Sequence, residues 1–259
     1  MPLLKLRQKL ITILLIHNPV EYISFFGAAP KKLLHVGAHL AEEKSAYEEF
    51  GINEICWVEA QKEIYAKLIM NVNPNNCIHA LVWSKKCVKE LNIVQNSVSS
   101  SILKLDESNP WTEVGTLRKE LYETVTLNDV VEDFRTRNLL IGKFLLLLDL
   151  QGAELEALKG LTLRNHNVSA ISCEVSRKPI YLNSPKSKKI TSHLLLRGYV
   201  PIISFLDRRT KHGDALYVKI NELFSHPRLF SGAIILKSLR IYVDIKKIVI
   251  QLNLNKPRI

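Results

Sequence analysis

The chain has 259 residues, a formal net charge of +11 and a sequence pI near 9.4. With 47% hydrophobic and 24% charged residues it is neither disordered nor fibrous, and its length suits one large α/β domain with appendages or at most two small domains. The positive excess favours nucleic acid, anionic membrane surfaces or acidic glycans as neighbours, but it is spread from Lys5 to Arg258 without an interleaved basic-aromatic stripe, so no specific nucleic-acid partner is expected.

Lys5, Arg7 and Lys9 precede an apolar run at residues 10–16 that imitates a signal peptide. That run is too short to span a bilayer, and His17, Pro19 and Glu21 interrupt it. Residues 1–30 therefore read as a helical, amphipathic lead-in, docked on the domain or on a membrane face. Residues 33–36 form an apolar strand that runs into Gly37 and a helix over 40–50, which Gly51 closes as a C′ residue. A second apolar strand at 55–58 ends on Glu59, about 20 residues beyond Gly37. This is the layout of a βαβ unit that holds an adenosine-bearing cofactor: the glycine admits close backbone approach, and the carboxylate accepts hydrogen bonds from both ribose hydroxyls. The turn Gly37-Ala38-His39-Leu40-Ala41 has one glycine where a dinucleotide fingerprint has three. That argues for a cofactor without phosphates, of which S-adenosylmethionine is the common one; a strand-turn-helix without any ligand is the other reading.

Ile64 and Leu68, with Tyr65 and Ile69, predict a second helix, stopped by Asn73-Pro74, and residues 77–82 a third buried strand. The alternation of strand and helix marks a parallel sheet. Periodicity is lost over residues 85–122, apart from an edge-like strand at 89–94 and a serine-rich loop at 97–101. Thr126 and Asp129 approximate a capping box for a helix containing Val130, Val131 and Phe134. Phe144-Leu145-Leu146-Leu147-Leu148-Asp149 is the most hydrophobic strand and belongs at the centre of the sheet. A helix over 153–158 ends at Gly160, and a further strand occupies 170–175. Ser184 and Pro185 read as N-cap and first residue of a helix that Gly198 terminates. Strands at 199–206 and 215–220, joined by the basic turn 207–214, predict a closing antiparallel hairpin. Residues 222–259 form a basic extension containing a β-branched run at 241–250, which leaves 31–221 as the domain. The four cysteines lack CxxC or histidine pairing suited to zinc, so no metal ligand set is assigned. Cys56 and Cys173 lie in apolar runs as buried reduced thiols, and a reducing, cytoplasmic compartment is expected.

These pieces together resemble the FkbM-type family of S-adenosylmethionine-dependent methyltransferases, over roughly residues 32–220. The resemblance rests on His35-Val36-Gly37-Ala38-His39 with Glu43 following, Trp57-Val58-Glu59-Ala60, Ser99-Ser100-Ser101-Ile102-Leu103, and Asp149-Leu150-Gln151-Gly152-Ala153-Glu154 ending in Leu158-Lys159-Gly160. Thr126-Leu127-Asn128-Asp129 and Gly213-Asp214-Ala215-Leu216-Tyr217-Val218 are weaker companions. It implies a class I, Rossmann-like methyltransferase: a mostly parallel seven-stranded sheet with helices on both faces, which transfers a methyl group to a hydroxyl of a sugar, glycan or small metabolite. By resemblance Gly37 and Ala38 shape the turn under the cofactor, Glu59 binds its ribose, and Ala80 and Leu81 flank its adenine. His35, His39, Ala60, Asp149 and Gln151 complete the expected cofactor contacts. Many members carry Asp where His35 stands and Gly where Ala41 stands.

Asp149 and Glu174 both end central strands at the edge where open α/β sheets place ligands, and both are candidate catalytic residues. An acid after four leucines is costly to bury without a partner. Asp149 is a candidate general base, a group orienting the methionine moiety, a ligand with Glu174 to a divalent cation, or a structural hydrogen-bonding group. Glu154 fits a helix-capping acid, and the serine loop is either an acceptor lid or simply polar. Two other functions remain: an RNA methyltransferase, favoured only by the charge, and a catalytically silent scaffold, against which Glu59 and Asp149 stand. The acceptor is not legible, because its pocket belongs to loops such as 95–123. Peripheral membrane contact through the basic termini is a further expectation, and nothing in the sequence bears on oligomeric state.

Overall fold

The computed structural model describes residues 13–94, 100–104, 116–163, 166–178 and 181–254, with side chains up to residue 241. Residues 1–12 of the expected lead-in, 97–99 of the serine-rich loop and 105–115 of the expected acceptor loop lie outside the described residues.

Nearly continuous apolar strands can be covered on both faces only within a parallel sheet, and the sheet built here has that character. Its strands are β1 (Lys32–Val36), β2 (Glu54–Glu59), β3 (Cys77–His79), β7 (Phe144–Leu148), β8 (Val168–Ser176), β9 (Tyr199–Leu206) and β10 (His212–Lys219), in the order β3-β2-β1-β7-β8-β10-β9. Pairings from β3 through to β8 are parallel, and β10 lies antiparallel between β8 and β9. The leucine-rich β7 is the middle strand, as its composition requires. The protein is thus a mixed α/β fold on a mostly parallel seven-stranded sheet.

Alternation along each strand splits the core in two. Leu34, Val36, Cys56, Val58, Leu146 and Leu148 face one side, covered by α4 (Leu127–Thr136), α5 (Glu154–Lys159) and α6 (Ser187–Leu195). Leu33, Ile55, Trp57 and Leu145 face the other, under α1 (Pro19–Phe25), α2 (Lys44–Glu49), α3 (Lys62–Asn71) and α8 (Arg228–Leu254). A short helix, α7 (Ile220–Ser225), links β10 to α8. The capping box of α4 forms in full: the Thr126 side chain accepts from the Asp129 amide, and the Asp129 carboxylate accepts from the Thr126 amide. The two terminal segments clasp one another over the second face. Ile13, Ile16, Tyr22 and Ile23 are buried there, the Tyr22 hydroxyl donates to the Leu229 carbonyl, and Arg240 donates to the Ile16 carbonyl at 2.7 Å.

Several elements depart from the sequence reading. The helix after Gly37 starts at Lys44 rather than residue 40, because His39 (φ 44°) and Ala41 (φ 61°) turn left-handed and hold the chain in a wider loop. The strand expected at 77–82 breaks at Ala80, whose amide bonds to the Glu59 carbonyl. The chain then leaves the main sheet, and β4 (Leu81–Val82) pairs with β6 (Thr116–Val125) in a second, three-stranded sheet with β5 (Val88–Val94). β6 escaped detection because Leu117 and Leu121 point to solvent, so it shows no apolar face. The helix expected to begin at Pro185 begins two residues later, with extended Lys186 at the N-cap and no side-chain cap bond. The β-branched run at 241–250 lies within the long helix α8.

Candidate active site

Three parallel strands deliver their last residues to one edge of the sheet. β1 runs into Gly37, β2 ends on Glu59 and β7 hands over to Asp149. The Gly37 and Ala38 amides both donate to the Val58 carbonyl (2.9 and 3.0 Å), while the Asp149 amide donates to the Val36 carbonyl (2.9 Å). Gly37 adopts φ +87°, and a Cβ at this position would stand 1.8 Å from the Asp149 carbonyl oxygen. The glycine is therefore required by the close approach of the Asp149 carbonyl where β7 runs beside β1, as well as standing in the turn that edges the cavity.

Glu59 is buried, and both of its oxygens accept backbone amides: Oε2 from His39 (2.9 Å) and Oε1 from Gln61 (2.7 Å). The carboxylate thereby ties the loop after β1 to the loop after β2. Burial pushes its pKa up, and these amide bonds counteract the rise. His39 pairs through Nδ1 with Glu42 at 2.6 Å.

The D-x-Q-G-x-E segment braces itself. Gln151 (φ 51°) and Gly152 (φ 97°) are consecutive left-handed residues, and a Cβ on Gly152 would crowd Ser184, Leu103 and Tyr181. The Gln151 amide group donates to Asp149 Oδ1 (2.6 Å), and its oxygen accepts from the Tyr181 hydroxyl (2.5 Å). The Ser101 hydroxyl donates to the Gln151 carbonyl at 2.8 Å. Glu154, fully buried, accepts the Leu150 and Gly152 amides at 3.0 and 3.1 Å, so it caps the loop at the start of α5.

These loops enclose a cavity of about 280 Å³. Of the residues expected from the sequence, Gly37, Ala38, His39, Glu59, Ala60, Ala80, Leu81, Asp149 and Gln151 line it together. His35 and Glu174 do not. His35 is packed between Tyr47 and Trp57, with ring centroids 6.0 and 5.5 Å away, and burial lowers its pKa to about 4, so it is neutral at physiological pH. Glu174 lies in a neighbouring crevice, with its carboxyl against His212 Nε2. Glu43, a cavity-lining acid, and Asp214, the partner of Glu174 in the β8–β10 register, complete a group of carboxylates at this edge. The sequence reading gave neither His212 nor Tyr181 a role. The signal for His212 is topological: β10 runs backwards, so its first residues meet the last residues of the parallel strands, while Tyr181 comes from the segment after β8.

Desolvation raises the pKa of every one of these acids. Asp149 is pushed up to about 6, chiefly by burial and further by Asp214 and Glu43, against the bond from Gln151. Glu174 is held well above the usual carboxylate range by burial and by Asp149 and Asp214. Among the described residues no group of three or more His, Cys, Asp and Glu side chains has the geometry to hold a metal ion.

Residues 35–201, well over half of the chain, match the family model described as the methyltransferase FkbM domain. The chain belongs to the FkbM methyltransferase family. No curated protein gives a match to it. In this FkbM methyltransferase the matched span runs from β1 to the start of β9 and contains the whole cavity. Family membership makes it a methyltransferase and implies a methyl donor of the S-adenosylmethionine type. The terminal clasp lies outside the match.

A carboxyl whose pKa is raised on folding binds its proton more tightly folded than unfolded. The contribution of Asp149 to stability is then fully present below about pH 4 and is lost as pH rises through about 6. Asp149→Asn removes that penalty. Relative to the parent protein it should gain about 2–3 kcal/mol more at pH 7.5 than at pH 4, by denaturant unfolding at the two pH values. A difference independent of pH contradicts the assignment.

Proposed function

We propose that this methyltransferase uses S-adenosylmethionine and methylates a hydroxyl of a sugar, glycan or other small metabolite in the cytoplasm. The observation that carries the reading is the single cavity that joins the Gly37 turn, Glu59 and Asp149. Its donor set fits the cofactor without a pyrophosphate cradle. Each Glu59 oxygen spends one bond on an amide and can accept another from a ribose hydroxyl. Val58, Leu81, Val82 and Leu91 supply an apolar wall for adenine. Glu43 offers the methionine amino group an acidic partner that His35 does not. The antiparallel β10 between β8 and β9 supports a class I, Rossmann-like reading of the sheet. Free thiols Cys56, Cys77 and Cys173, all buried, fit a reducing compartment.

When bound, S-adenosylmethionine supplies a methyl group on an electrophilic sulfonium. The protein must align an acceptor oxygen with it and give the hydroxyl proton somewhere to go. Asp149 takes that proton: with a pKa of about 6 it is ionised at pH 7–8 yet close enough to neutrality for efficient transfer. Gln151 fixes the carboxylate, and Tyr181 and Ser101 in turn fix Gln151. Burial and the neighbouring Asp149 and Asp214 raise the pKa of Glu174 as well.

Calorimetry tests the cofactor. The parent protein should bind S-adenosylmethionine one to one with micromolar affinity, and Glu59→Ala should lose roughly 2–4 kcal/mol of it. Unchanged affinity in that variant removes Glu59 from the cofactor site.

Turnover tests the base. Asp149→Asn should lose about 10²-fold or more in kcat with little change in donor affinity, and the parent activity should survive EDTA. Loss of activity on chelation would point instead to a cation held by Asp149 and Glu174.

A further inference from the structure

A second groove, of about 520 Å³, runs beside β9, the outer strand of the sheet, with α6 and α8 as its flanks. Its floor is apolar, with Ile202, Ile203 and Leu236, while its rim carries Arg177, Arg208, Lys211, Lys237 and Arg240. The single acid of the lining, Asp207, is engaged in its own turn: Oδ1 accepts the Arg209 and Thr210 amides and the Thr210 hydroxyl. Among the described residues no carboxylate pairs with Arg177, Lys211, Lys237 or Arg240. Arg240 is fixed from behind, 5.0 Å over the Phe205 ring and bonded to the Ile16 carbonyl. Burial and the nearby Arg208 both disfavour its charge, a strain that an anion in the groove would relieve.

The groove continues onto the outer face of α8. Phe230, Ile234 and Ile241 are 55, 55 and 52% exposed, and their spacing sets them in one stripe of about 16 Å along the helix. Lys237 borders the stripe, and Lys237 and Ile241 also line the groove, so apolar stripe and cationic groove form one surface. Large apolar side chains aligned on a helix and flanked by cations have the composition of a helix that lies in a membrane interface. No helix among the described residues is long and apolar enough to cross a membrane. Pairing this face with a second copy would bring like charges together. Of the stripe only Phe230 is aromatic, and the aliphatic Ile234 and Ile241 give no run of stacking platforms for nucleic-acid bases.

We propose that α8 and the β9 groove dock the protein on an anionic phospholipid surface, with the stripe in the interfacial layer and the groove taking headgroup phosphates. The rim at Arg177 follows the end of β8, and that at 207–211 follows the end of β9. Both lie at the sheet edge that carries Asp149, so docking sets the reaction edge against the membrane.

Co-sedimentation with phosphatidylcholine vesicles, with and without about one-third phosphatidylglycerol, tests this without methyl donor or acceptor. The protein should bind the anionic vesicles at least tenfold more tightly than the neutral ones, and less tightly as salt rises. The exposed double variants Arg177→Glu/Lys237→Glu and Phe230→Ser/Ile234→Ser should each lose at least tenfold while keeping the parent melting temperature. Equal binding to neutral vesicles, or parent-like binding by the charge variant, overturns the proposal. So does full vesicle binding by Phe230→Ser/Ile234→Ser with displacement by inorganic phosphate, which would mark a free-anion site. A dimer that this variant dissociates, without effect on vesicles, would mark a self-association face and equally overturn it.

Discussion

Carboxylates crowd one desolvated sheet edge, and the rest of the site is arranged around their mutual repulsion. Asp149 ends the central strand, Asp214 faces Glu174 across the β8–β10 ladder, and Glu43 closes the cavity beside them. Like charges set opposite one another destabilise a ladder, and burial sharpens the effect. Polar partners rather than lysine or arginine meet it: Glu174 lies against His212 Nε2, and Asp149 accepts from the Gln151 amide. The result is a carboxyl with its pKa raised to about 6 at the end of the central strand. A fold selected for stability alone would not keep it there.

The loops that frame this group are braced by side chains bonded to backbone. Glu59 ties two loops through the His39 and Gln61 amides, and Glu154 ties a third through Leu150 and Gly152. A cavity edged by such bonds is largely formed before any ligand arrives, which lowers the ordering cost of binding. The Gly37 contact belongs to the same economy of space, since any side chain there would force β1 and β7 apart.

Much of this was legible in the sequence because it rests on local signals. Apolar runs gave the parallel strands, the leucines of β7 gave its central place, and Thr126 with Asp129 gave a helix start. Gly37 and Glu59 marked two corners of the cavity. What was hidden depends on contacts distant in sequence. β6 shows no apolar face because its leucines are solvated, and it appears only through pairing with β4 and β5. His35 was expected at the site through the family resemblance alone, and strand alternation sends it onto Tyr47 and Trp57. The proximity of Asp214 and His212 to Glu174 needs the reversed direction of β10, which no short motif reports.

Asp149 stands as a carboxyl whose pKa burial raises to about 6. Its carboxyl carbon can be followed by NMR in protein labelled at aspartate, assigned by difference from Asp149→Asn and titrated from pH 4 to pH 8. A midpoint near pH 6 is expected. A midpoint near the ordinary aspartate value of about 4 would contradict it.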